Sequence, residues 1–193
     1  MINILYNDFP ESIFADDKEY KIYTDFRNWI QFSELLASEE LRKEDKICVI
    51  SELICEPVEL ITEEIVTEIF KFYEAKEIEY IACNENESEQ SECNERPPVF
   101  DWCIDARYIL GDFRRFYNIN LRTANLHWWE FKSLFLALPD DSCCKKRIVY
   151  RSVNLSEIKN VDERTRIKKI QQQIALPFTY SDEAIAAELG GFM

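Results

Sequence analysis

The sequence predicts a mainly α, bundle-like protein with a small N-terminal antiparallel β-sheet or hairpin. Apolar residues recur at helical spacing in successive stretches from Phe26 to Ile174, whereas period-two alternation is confined to "SIFADDKEYKIYTD" near the start. A chain of 193 residues can bury roughly 70% of the surface that it exposes unfolded, so its core needs no disulfide staples.

In chain order, two short strands flank Asp16-Asp17, with Tyr20 and Ile22 on the face opposite Lys21 and Tyr23, and "INILY" can add a third strand. Thr24 or Asp25 can cap a helix whose apolar side holds Phe26, Trp29, Ile30 and Leu36. "RKEDKICVISELIC" continues as helix with Ile47, Ile50 and Ile54 in phase. Thr62 caps another, in which Glu63 and Glu64 favour the positive end of the dipole and Ile65, Ile69 and Phe72 share one face. "CNENESEQSECNERPP", residues 83–98, has no apolar periodicity and reads as an acidic mobile linker or loop. "FDWCIDARYILGDFRRFYNI" forms an amphipathic helix with Trp102, Ala106, Ile109, Phe113 and Phe116 on one side. "TANLHWWEFKSLFLALPDD" reads as one helix ending at Pro139. "VDERTRIKKIQQQIALP" aligns Ile167, Ile170 and Ile174 before the terminator Pro177. The expected organisation is residues 1–82 as hairpin plus acidic helices, the 83–98 linker, 99–178 as a helical part packed on the first, and 179–193 as a tail with a short helix.

Charge narrows the function. The net charge of −14 argues against phosphate binding, and so against nucleic acid and acidic membrane surfaces. Residues 1–100 hold 25 acids and 9 bases, net −16, against 12 acids and 14 bases, net +2, in the rest. No apolar run approaches the roughly 18 residues of a membrane helix, and the N-terminus lacks a secretion signal, which predicts a cytosolic protein. Seven cysteines fit reduced thiols; Cys48, Cys55 and Cys103 should pack as small hydrophobes, and neither Cys83 with Cys93 nor Cys143 with Cys144 has zinc spacing, so no metal is expected. Three glycines cannot assemble a phosphate-cradling loop, so no nucleotide cofactor is expected either.

Candidate functional residues concentrate around the only histidine. At helical spacing Ala124, His127, Trp128, Phe131, Leu134, Phe135 and Leu138 share a wide face, while Trp129 and Leu136 form a second stripe beside Lys132 and Ser133. His127, at the margin of an apolar face with no nucleophile or orienting group in sight, reads as a hydrogen-bonded structural residue, and no catalytic residue is assigned. The carboxylates of Asp101 and Asp105 read as first-turn dipole partners. The basic residues from Lys145 to Lys169 read as solvated or paired within the chain, because no stacking aromatics are interleaved. The core is assigned to Trp29, Trp102, Phe113, Trp128, Phe131 and Phe135, and the partner-binding surface to Trp129, Leu136, Lys132, Ile185 and Leu189. The alternative for Trp129 is cover from within the chain by "SDEAIAAELGGFM".

The order "YTDFRNWIQF", an acidic variable loop, "FDWCIDARYI", "LHWWEFKSLFLALPDD", "IVYRSVNLSEIK" and "QQQIALP" resembles the bacteriophage "gene product fifteen" family of tailed phages and prophages of Gram-positive bacteria. Ser142 stands where the usual member has threonine, and Cys143-Cys144 is peculiar to this chain. The resemblance implies a protein encoded beside the major tail protein and upstream of the tape measure in long-tailed phages, the position of tail assembly chaperones. It implies a non-enzymatic factor, without cofactor, that binds the tape measure protein, recruits tail-tube subunits, works in the host cytoplasm and is absent from the mature virion. Two other readings fit the acidic charge or the family: a DNA-mimic inhibitor of host defence, and a structural tail component.

Overall fold

The computed structural model describes residues 6–37, 43–75 and 99–176. Residues 2–5 of the expected strand in "INILY", the 83–98 linker, the terminator Pro177 and the 179–193 tail with Ile185 and Leu189 lie outside the described residues, as does the side chain of Leu36, while Tyr6 is in a turn. The fold is mainly α with a two-stranded antiparallel hairpin at the N-terminal end.

Strands β1 (Ser12–Ala15) and β2 (Lys18–Lys21) pair in the register Ser12↔Lys21 to Ala15↔Lys18. The connection is Asp16-Asp17, both left-handed at φ 50° and 57°, as a two-residue turn matched to strand twist requires. Alternation puts Ile13, Ala15, Tyr20 and Ile22 inward and leaves Phe14 and Tyr23 exposed, as the pattern predicts. The Thr62 hydroxyl donates to Asp16 Oδ2 at 2.6 Å, tying the turn to the next layer. Because Asp16 is thus occupied and Asp17 is not, Asp17→Gly is the clean test of turn strain: it should stabilise the chain by about 0.5–1 kcal/mol in a urea melt, and a loss of stability would contradict the turn assignment.

Helix α1 (Phe26–Ala37) starts where Asp25 Oδ1 accepts the Arg27 amide at 2.9 Å, one of the two expected caps. In α2 (Lys43–Glu52) the expected phase holds only in part: Ile50 is buried, Ile47 is 45% exposed, and the helix ends before Ile54. Ile54 is nevertheless buried, because the chain turns and pairs it with Ile22 as an antiparallel bridge. Helix α3 (Glu63–Glu74) is capped by Thr62 and buries Ile65, Ile69 and Phe72, as expected.

Two later helices are shorter than their periodicity predicts. Helix α4 (Ala106–Tyr117) follows a turn over residues 102–105 instead of starting near Phe100, so Ile109 and Phe113 are buried while Ala106 is exposed and Trp102 is half-buried against Phe100. Helix α5 (Trp128–Leu136) begins only after His127. Upstream the chain is extended because it hydrogen-bonds to the entry of α1: the Phe26 amide donates to Leu126 O and the Trp128 amide to Thr24 O. Helix α6 (Cys143–Ser152) is capped by Ser142, and α7 (Val161–Ile174) by Asn160. None of the described helices is long and apolar enough to cross a membrane.

The chain divides into two compact units that cut across the expected halves. One contains the hairpin, α1 to α3 and residues 109–139; the other contains residues 99–108 and 140–176. Residues 109–139, expected in the C-terminal part, thus fall in the first unit, and the reason is aromatic packing within that unit. Phe131 stacks on Phe26 at 4.6 Å and on Phe113 at 5.2 Å, Trp128 on Tyr73 at 5.6 Å, and Trp29 meets Phe72 at 4.6 Å. Burying these rings contributes both apolar transfer and ring-ring attraction of about 0.5–1.5 kcal/mol per pair. The thiols are also redistributed: Cys48, Cys55 and Cys103 are exposed, and Cys144 is buried. Cys55 follows Ile54 in the bridged segment and so points to the opposite side, while Cys103 sits in the turn before α4.

Candidate functional site

The candidate site is built on α5. A helix leaves its last four carbonyls without partners inside the helix. At the end of α3 all four are satisfied, three of them from α5. Ala75, left-handed at φ 50°, returns its amide to Lys71 O. The Trp129 indole Nε1–H donates to Phe72 O at 2.9 Å, the Trp128 indole Nε1–H to Tyr73 O at 2.9 Å, and Lys132 Nζ to Glu74 O. Residues i, i+1 and i+4 of one helix thus clamp the end of another, with the Lys132 ammonium placed favourably against the negative end of the α3 dipole.

This geometry corrects the partner surface. Trp129 is 3% exposed and its polar edge is spent inside the unit, so it belongs to the core beside Trp128; among the described residues α3 covers it. Lys132 is half-buried and lies 6.0 Å from the Trp128 ring centre. Leu136 remains accessible at 46%, and Ile185 and Leu189 lie outside the described residues. Of the expected core, Trp29, Phe113, Trp128 and Phe131 are buried, while Phe135 and Trp102 are only half-buried.

His127 is the N-cap of α5. Its Nδ1 accepts the Trp129 amide at 3.0 Å, which fixes the tautomer: Nε2 carries the proton and donates to Pro10 O at 2.9 Å. The ring stacks on Phe9 at 4.9 Å and meets Phe72 edge-on at 5.6 Å. Burial holds the ring below its ordinary range, outweighing the opposite pull of the Pro10 carbonyl and of the Glu11 and Glu130 charges. Both nitrogens are engaged in the neutral form, as expected of a structural histidine. Beside the ring opens a groove of about 710 Å³, lined by the acidic residues Asp8, Glu11 and Asp25 together with Phe9 and Leu126. Among the described residues no group of three or more His, Cys, Asp or Glu is placed to hold a metal ion.

The second unit is organised by a buried ion pair. Asp105 is 1% exposed; its Oδ1 accepts Arg147 Nε at 2.9 Å and Arg151 Nη2 at 3.0 Å, and its Oδ2 accepts Arg151 Nη1. Arg151 also donates to Val99 O at 3.1 Å and Ile174 O at 2.7 Å. Burial pushes the Asp105 carboxyl up, but the hydrogen bonds from Arg151 and Arg147 and the Arg151 charge outweigh it and hold the group below its ordinary range. The dipole reading of Asp105 is therefore corrected: the residue precedes the helix and is the buried counter-ion of two arginines. Its signal lay in Arg147 and Arg151, spaced i, i+4 on one face of α6, which marks a shared partner without naming it. Arg27 was likewise missed; it pairs with Asp25 and donates to Leu121 O at 2.7 Å and Ala124 O at 2.9 Å, pinning the loop before α5.

Together these features define a class: a small, mainly helical protein with an aromatic core, whose described histidine, paired tryptophans and buried carboxylate are engaged in holding helix ends and segments in place. The chain belongs to the bacteriophage Gp15 protein family, whose model matches residues 5–176. No curated protein and no solved structure matches it.

Proposed function

We propose that the chain is a tail assembly chaperone that binds the tape measure protein during tail morphogenesis in the host cytoplasm and leaves before the virion is complete. The observation that carries this reading is the family match across residues 5–176, nearly the whole chain. This reading has the chain act without catalysis, and two observations support it: the neutral His127 ring has both nitrogens engaged, and Asp105 is held between two arginines. A transient partner must be held without aggregation, and an acidic surface keeps such a complex soluble. In the first unit the described residues carry 18 acids and 10 bases. With Trp129 interior, Leu136 is the residue of the α5 stripe left to meet a partner.

The test is co-expression with the tape measure protein encoded by the same phage or prophage. The expected result is co-purification, more soluble tape measure protein, and absence of the chain from purified virions by mass spectrometry. A tape measure protein that stays insoluble and unbound in its presence would overturn the reading. Detection at stoichiometric level in virions would make the chain a structural tail component instead.

A further inference from the structure

His127 is an unusual helix cap, since Ser, Thr, Asp and Asn supply that oxygen in most helices and none of them gains a proton near neutral pH. The ring joins three things at one point: the start of α5 through Nδ1, the segment Phe9–Glu11 through Nε2 and Pro10 O, and the aromatic edge formed by Phe9, Phe72 and Trp129. A proton on Nδ1 would set its N–H against the Trp129 amide N–H, two donors 3.0 Å apart between their nitrogens, and α5 would lose its cap. The groove of about 710 Å³ beside the ring gives it somewhere to go. The charged groups around it favour the move. Asp8 and Glu11 come from the segment itself, Asp25, already paired with Arg27, comes from the entry of α1, and Glu130 comes from α5; α3 meets the ring with the uncharged Phe72 side chain.

We propose that residues 8–10 form a strap latched by His127: the neutral ring holds it closed on the start of α5, and a protonated ring swings into the acidic groove with the strap, uncovering the Phe72 and Trp129 edges. Glu11 remains the hinge, because its carbonyl accepts the Ile22 amide at 3.0 Å independently of the ring. The inference does not depend on the chaperone reading. Between the closed-state pKa and the ordinary histidine value, the released population rises up to tenfold for each pH unit of acidification.

The chain has one histidine, so its ring proton signals are unambiguous in an NMR titration of the full chain from pH 8 to pH 5. The expected result is a single step below about pH 6.5 in which the His127 ring, the Trp129 amide and the Phe9 ring shift together, with the rest of the fold intact. His127→Asn keeps a capping oxygen but has no proton to gain, so it should remove the step and leave Phe9 and Pro10 at every pH in the state that the wild type reaches in acid. Asp8→Asn with Glu11→Gln should move the wild-type step to lower pH. The latch is overturned if the ring protonates while the Trp129 amide and Phe9 stay in place. It is equally overturned if the step survives His127→Asn, or if no step precedes global acid unfolding.

Discussion

Trp129→Ala is expected to destabilise the chain by about 3–5 kcal/mol, as much as Trp128→Ala, although the two rings are neighbours in a helix and so point in different directions. Each loses a buried ring: Trp128 is 1% exposed and Trp129 is 3% exposed. Each also strands a carbonyl at the end of α3, Tyr73 O for Trp128 and Phe72 O for Trp129. The two contributions separate with Trp129→Phe, which keeps most of the ring and removes only the donor; leaving Phe72 O buried and unpaired should cost about 1–3 kcal/mol. Urea melts of the variants side by side decide the matter. If Trp129→Ala melts with the wild type while Trp128→Ala does not, the clamp is wrong and Trp129 is a surface residue after all.

Asp105→Ala should cost about 3–5 kcal/mol, because it leaves two guanidinium groups without their buried counter-ion. Arg147 and Arg151 are only 17% and 5% exposed at their side chains, so water replaces the carboxylate poorly. Hydrogen exchange should show α6 and α7 losing protection first, since Arg151 also holds Ile174 O at the end of α7. Asp105→Leu combined with Arg147→Met and Arg151→Met should recover part of the loss; the rest reflects the carbonyls of Val99 and Ile174, which the triple variant deprives of their donor. If Asp105→Ala leaves the exchange of α6 and α7 unchanged, the ion pair does not organise this unit.

The two titratable groups act in separate pH windows. The lowered carboxyl of Asp105 contributes stability that is complete above the ordinary carboxylate value, about 4, and is lost as pH falls toward its folded pKa. The lowered His127 ring contributes stability that is complete above about 6.5 and declines as pH falls toward its own folded value. Acidification should therefore weaken the first unit before the second.

Sequence alone determined what short-range physics decides. The hairpin is local because Asp16-Asp17 supplies the left-handed turn and period-two alternation supplies the inward face. The start of α3 is local because Thr62 reaches an amide three residues on. The family was legible because its motifs are strings of residues. Tertiary structure decided the rest. Helical periodicity ran past the true start of α5, since residues 124–127 contain nothing that forbids a helix; what stops it is the backbone pairing of Leu126 and Trp128 with the entry of α1, a hundred residues earlier in the chain. Periodicity also gave Trp129 a stripe of its own, and a stripe says only that a face wants cover, not who covers it. The end of α3 covers it, because four orphan carbonyls need donors and an indole N–H is one of the few groups that brings a donor and an apolar surface together. Asp105 looked like any carboxylate near a helix start until α6 placed Arg147 and Arg151 against it. Local propensity carries no information about which distant group arrives, and the free energy of burying polar atoms depends on that arrival.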